Sequence, residues 1–234
     1  MSTLLLVRHG LTALTGPVLA GRTPGVHLDE RGQRQAEAVA TRLAALPLAA
    51  VVTSPLERCT DTATIVLQAQ RDAGREPVWE VDDRLTECGY GDWTGRQIKD
   101  LVKDPLWKIV QTQPSAARFP GGESIAEMSA RAVATVREHD AEFGPDAIWV
   151  ACTHGDVIKA VVADALGLHL DHYQRIVPDP CSVSIIRYTD TRPYVLRTND
   201  VGGDLADFVP QTGKRRRRRA TDATVGGGAG SGGV

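Results

Sequence analysis

Short apolar runs separated by stretches of helical period constrain this chain most. Residues 4–7 (LLLV), 49–54 (AAVVTS) and 147–152 (AIWVAC) are each too short to cross a membrane and read as buried strands. After the first run, residues 28–46 set Ala36, Val39, Leu43 and Leu46 on one helical face, with Asp29 available as a cap. Residues 56–70 read as a second helix, entered through Pro55. Further on, Ser124 and Glu127 stand three apart as a capping box ahead of the stripe Ile125, Met128, Ala132, Val133 and Val136. The third run leads into another helix-like stretch, VIKAVVADAL, and SVSIIRY and YVLRTN close the pattern as a hairpin around TDTRP. Alternating strands and helices predict a three-layer α/β/α sandwich on a mainly parallel sheet. Much of residues 92–124 fits neither period, which predicts an inserted segment over one end of that sheet.

With 234 residues, 42% of them hydrophobic, the chain can bury a core without staples. Cys59, Cys88, Cys152 and Cys181 never approach CxxC spacing, which argues against zinc and for unpaired thiols in a reducing, cytoplasmic compartment. Neither a signal peptide pattern nor an apolar run of membrane-spanning length is present, so secretion and membrane insertion are not expected. Residues 211–234 hold six cations and one acid, so a whole-chain charge of −2 leaves residues 1–210 at −7. The run KRRRRR is followed by ATDATVGGGAGSGGV, which offers too little apolar surface to offset its own ordering entropy. We read 1–210 as one domain and 211–234 as a disordered, solvated tail. Without interleaved aromatics, its arginines do not read as an arm for nucleic acid or anionic lipid.

The chemistry gathers at the predicted strand ends. Arg8 and His9 follow the first strand, Arg58 opens the helix after the second, and His154 and Gly155 follow the third. Parallel strands put their carboxyl ends on one edge, where open α/β sheets hold ligands, so two arginines and two histidines converge there. Guanidinium forks match phosphate oxygens, and an imidazole in line with phosphorus can attack it, splitting hydrolysis into two easier steps through a phosphohistidine. Glu87, in the glycine-rich RLTECGYGDWTG, is the candidate general acid and then base. Nearby cations lower its pKa and burial raises it, and sequence leaves that balance open. HLDHY places His169 and His172 three apart without a third convergent ligand, so no metal is expected. No cofactor is called for. Trp93 and Trp107 are open between a leaving-group wall and the core.

RHG after the first strand, SPLERCTDTA, LTECGYGDWTG, FPGGES and CTHGDVIKA, in this order over about residues 1–200, resemble the histidine phosphatase superfamily, or phosphoglycerate mutase-like family. The resemblance implies a phosphoglycerate mutase-like fold, His9 as nucleophile, Arg8, Arg58 and His154 as the phosphate pocket, and Glu87 as proton donor and acceptor. It also implies substrate contacts near Gly21, Tyr90 and Gly155. The family pattern is departed from at Thr15, where asparagine is usual, although a hydroxyl still donates to phosphate. It is also departed from at Cys59, where alanine is common, and at Asp156, where the glycolytic mutases carry asparagine. Those mutases hold substrate with an adjacent arginine pair in the inserted segment, and Arg96, Lys99, Lys103, Lys108 and Arg118 form no such pair.

The reading is therefore a metal-independent phosphomonoesterase acting on a small phosphorylated metabolite. A phosphomutase moving the group between hydroxyls is the alternative within the family. A non-catalytic phospholigand-binding protein is the alternative outside it, and the presence of His9, Glu87 and His154 together speaks against that.

Overall fold

A computed structural model describes residues 1–203 together with Val225, Gly226 and Gly228. Its elements in chain order are β1 (Ser2–Arg8), α1 (Glu30–Leu43), β2 (Ala50–Thr53), α2 (Glu57–Asp72), β3 (Val78–Val81), α3 (Ile98–Leu101), α4 (Pro105–Thr112), α5 (Ile125–Phe143), β4 (Ile148–Thr153), α6 (Gly155–Ala165), β5 (Val183–Tyr188) and β6 (Pro193–Asp200). The strands form one sheet in the order β3-β2-β4-β1-β5-β6. The β3-β2-β4-β1 block is parallel, while β5 and β6 run antiparallel along the other edge as the expected hairpin.

Alternation along the strands builds the layers. Leu4 and Leu6 point to one face with Val52, Trp149 and Ala151, where Met128, Val136 and Ile158 of α5 and α6 cover them. Leu5 and Val7 point to the other with Val51 and Val150, beneath Val39, Leu43, Val66 and Leu67 of α1 and α2. The caps follow the sequence: Asp29 accepts from the Gly32 N–H at 2.9 Å. Ser124 and Glu127 form the reciprocal capping box of α5, a device that contributes about 1 kcal/mol. α2 begins at Glu57, with Leu56 as its N-cap and Pro55 just outside, so the proline ends the approach to the helix rather than opening it.

Strand β3 escaped the periodicity reading for a physical reason. It lies at the sheet edge with Val78, Trp79 and Val81 all exposed, so neither face imposes an apolar alternation. The segment 92–124 folds as α3, α4 and short turns. Trp93 and Trp107 stack with ring centroids 6.1 Å apart inside the core formed by α5 and α6, so these indoles fill the interior.

The loop after β1 lies directly on the first turn of α1. A Cβ at Gly32 would come 2.0 Å from the Leu11 carbonyl oxygen, a backbone atom with no room to yield. Gly32→Ala should therefore cost about 3 kcal/mol of stability, read as a fall in the urea midpoint, because the loop that follows His9 must lift away.

Candidate active site

Sheet register brings the predicted residues together. β4 lies between β1 and β2, with Arg8 opposite Thr153 and Thr53 opposite Cys152, so the next residues of each strand, His9, His154 and Ser54, emerge side by side. His154 is the N-cap of α6, and Arg58 stands in the first turn of α2. Arg8, His9, Arg58, Glu87 and His154 are all buried.

The hydrogen bonds settle which imidazole nitrogen faces the site. His9 Nδ1 lies 2.7 Å from the Gly10 carbonyl oxygen and donates to it, which leaves the lone pair on Nε2, where Arg58 Nε donates at 3.3 Å. His154 Nδ1 accepts from Arg58 Nη2 at 3.2 Å, and its Nε2 donates to Ser54 Oγ at 2.7 Å. The two imidazole centroids are 5.3 Å apart. Arg58 Nη2 also donates to the Gly21 carbonyl at 2.6 Å, whereas its Nη1, equally buried, has no partner among the described residues. Arg8 Nη1 donates to the Pro178 carbonyl at 2.9 Å.

Burial first, then Arg58 and Arg8, hold His9 well below the usual histidine pKa, and the same causes act on His154. Both imidazoles are neutral at physiological pH. The balance that sequence left open at Glu87 is decided by burial. Desolvation first, and then the Asp156 charge, push its carboxyl up to about 7 against the Cys88 N–H, Arg58 and Arg8. Its loop is clamped from outside, where Arg22 Nε and Arg131 Nη2 donate to the Glu87 carbonyl at 2.8 and 3.2 Å. Glu123, from the FPGGES motif, binds Arg131 at 2.7 Å and accepts from the Gly89 N–H at 3.0 Å, so that motif anchors the loop carrying Glu87.

Thr15, Gly21 and Tyr90 line the same cavity as Arg8, His9, Arg58 and Glu87. Thr15 Oγ1 accepts from the Thr12 N–H at 3.0 Å, which fixes the turn after the first motif. Tyr90 packs edge-on against Phe119 and donates its hydroxyl to Asp156 at 2.8 Å, so it is both core residue and cavity wall. Neither His154 nor Gly155, which begins α6, is among the cavity-lining residues, and His154 joins the site through Arg58. Cys59 Sγ lies 3.4 Å from His154 Nε2 beneath the site, and all four cysteines are buried and unpaired.

The tail supplies residues that sequence reasoning missed. The boundary at 210 and most of the segment read as disordered lie outside the described residues. Val225 and Gly226, however, line the cavity, and the Gly228 and Gly226 carbonyls accept from Arg8 Nη1 and Nη2 at 2.6 and 3.4 Å. The space left is about 40 Å³. Backbone carbonyls in a glycine-rich stretch carry no side-chain signature by which to find them.

Among the described residues, Glu80, Asp82 and His139 are close enough to share a cation, but Arg84 already pairs with Asp82 at 2.8 Å and holds its carboxyl down at about 2. No described helix is long and apolar enough to cross a membrane.

Known proteins resemble this chain in sequence and in fold. Phosphoserine phosphatase 1 of Hydrogenobacter thermophilus is 28% identical over 220 residues, covering 92% of this chain and 99% of that protein. A protein of Cronobacter sakazakii named "Probable phosphoglycerate mutase GpmB" is 30% identical over 191 residues, 80% of this chain and 86% of its own length. The solved mycobacterial glucosyl-3-phosphoglycerate phosphatase superposes with a TM-score of 0.74 at 27% identity, over 85% of this chain and 98% of that one. The sheet with its flanking helices has the phosphoglycerate mutase-like fold of such neighbours. Residues 4–201 match the model of the histidine phosphatase superfamily (branch 1), so the chain belongs to that family and is a phosphoester hydrolase of the histidine phosphatase type.

Proposed function

We propose that the chain is a metal-independent phosphomonoesterase in which His9 carries the phosphoryl group. The observation that carries this reading is the Arg58 guanidinium. It is buried and shared between His9 and His154, and its Nη1 donor is left without a described partner at the spot where a phosphoryl oxygen would satisfy it.

Arg8 and Arg58 hold the phosphoryl oxygens, with His154 beside them. The His9 Nε2 lone pair attacks phosphorus, the P–N bond forms, the ester P–O bond breaks, and the Glu87 carboxyl gives its proton to the departing oxygen. Water then attacks the phosphohistidine, Glu87 takes its proton, the P–N bond breaks and phosphate leaves. The charge on phosphorus is met by permanently cationic guanidinia. Glu87 is the only carboxylate among the described lining residues, and one pushed up to about 7 must give up a proton to bind a metal near neutral pH. Both features support a reaction that needs no cation. A cavity of this kind takes a small phosphorylated metabolite, and four unpaired thiols favour a cytoplasmic location.

The test is to mix the enzyme with p-nitrophenyl phosphate, quench it in base within milliseconds and digest it. The expected result is a phosphoryl group on the peptide containing His9, stable in base and lost in acid, with phosphate release unaffected by EDTA. Turnover without any phosphorylated His9 peptide, or release abolished by the chelator, overturns the reading.

A further inference from the structure

The first nine residues of α6 are buried on every side, and two of them are charged. Asp156 is 0% exposed and Lys159 1%. A buried ion pair seldom returns its desolvation cost, and apolar residues of the same volume often serve stability as well or better, so stability alone is a weak reason for this one. Its contacts point elsewhere. Lys159 Nζ donates to Asp156 Oδ1 at 3.0 Å and to Gln174 Oε1 at 2.9 Å, and it lies 5.6 Å from the Tyr173 ring centroid. Asp156 Oδ2 accepts the Tyr90 hydroxyl at 2.8 Å. Tyr90 faces the cavity beside Glu87, since a Cβ built on Gly226 would lie 3.3 Å from the Tyr90 hydroxyl and 3.9 Å from Glu87 Oε2. A chain of polar contacts thus runs from Lys159 through Asp156 and Tyr90 to the wall where the Glu87 carboxyl sits.

We propose that Asp156 is a positioning residue for phosphoester hydrolysis: locked by Lys159, its carboxylate pins the Tyr90 hydroxyl at the cavity wall and holds a fixed negative charge behind Glu87. The inference rests on the reading of Glu87 as the general acid. Charged groups face that carboxyl from three elements: Arg8 of β1 and Arg58 of α2 draw it toward ionisation, and Asp156 of α6 opposes them. Cys88, Tyr90 and Tyr173 complete the surroundings as neutral groups, each held well above its ordinary range by burial. Two guanidinia are what a phosphate pocket needs, yet they draw off the proton that the leaving oxygen requires; burial opposes them most, and the Asp156 charge adds to it. Asp156 acts from behind Tyr90, outside the set of residues that line the cavity.

The sign of the test follows. Removing the Asp156 charge favours ionised Glu87, so its acid form is lost at lower pH. In Asp156→Asn the basic limb of kcat/KM for an alkyl phosphate should move down by about one pH unit. With p-nitrophenyl phosphate, whose leaving group needs no proton, the limb should be weak in wild type and variant alike. Because Asp156→Asn leaves Lys159 buried without its counter-ion, Asp156→Asn/Lys159→Met is measured beside it and is expected to show a shift in the same direction. If the single variant fails to fold, the double variant decides. A limb unmoved in the folded variants, but abolished by Glu87→Gln, overturns the role of Asp156 and leaves Glu87 as the acid. A wild-type profile without a Glu87-dependent limb overturns both.

Discussion

Changing His9 to alanine should lower kcat/KM for phosphate monoesters by at least about 10³-fold and end phosphoenzyme formation. The Gly10 carbonyl holds the Nδ1 proton and fixes the tautomer, so Nε2 presents its lone pair. Burial together with Arg58 and Arg8 keeps the ring neutral, and no acid limb due to His9 is expected near physiological pH. Alanine removes the nucleophile and leaves the guanidinia in place, so inorganic phosphate or vanadate should still bind the variant. Phosphate release by wild type and variant, with thermal melting as a control for folding, measures the effect. Activity within tenfold of wild type would show that water attacks the ester directly.

Glu87→Gln should act on both halves of the reaction and reveal each with a different ester. For an alkyl phosphate the leaving oxygen departs unprotonated, and the rate should fall by about 10²- to 10⁴-fold. For p-nitrophenyl phosphate the first half should proceed, giving a burst of nitrophenolate equal to the enzyme present. Turnover then stalls, because no base activates water against phospho-His9. In wild type, where the carboxyl sits at about 7, the alkyl ester rate should decline tenfold per unit at higher pH as the acid form is lost. Glutamine should remove that decline. Rapid-mixing kinetics with both esters between pH 5 and 9 tests all of this, and a variant that turns over both without a burst leaves Glu87 no part in the chemistry.

The edge of the sheet was legible because its chemistry hangs on strand ends. Arg8, His9 and His154 directly follow apolar runs, and the parallel topology implied by the alternation places such residues together. Glu87 was legible only through its motif, and its protonation was not, since that depends on burial and on a charge 69 positions away in sequence. Asp156 and Lys159 stand three apart, as in many solvated helix faces, and only the packing of α6 shows that neither meets water. Gly155 and His154 both follow β4 directly, yet neither is among the cavity-lining residues, and His154 joins the site through Arg58. β3 was invisible because an edge strand exposed on both faces has no period to show.

The carbonyls of Gly226 and Gly228 on Arg8 bear on how any affinity for this protein should be understood. Val225 and Gly226 line the cavity together with His9, Arg58 and Glu87, so the backbone that binds Arg8 stands inside the site itself. Substrate therefore competes with the protein's own backbone for the same guanidinium edges. A ligand that needs those edges meets a conformational tax: its measured dissociation constant is the intrinsic one divided by the fraction of molecules in which the Gly226 and Gly228 carbonyls have left Arg8. Dianionic oxygens, which outbid neutral carbonyls for a guanidinium, lift that barrier more readily than an uncharged mimic of the same shape.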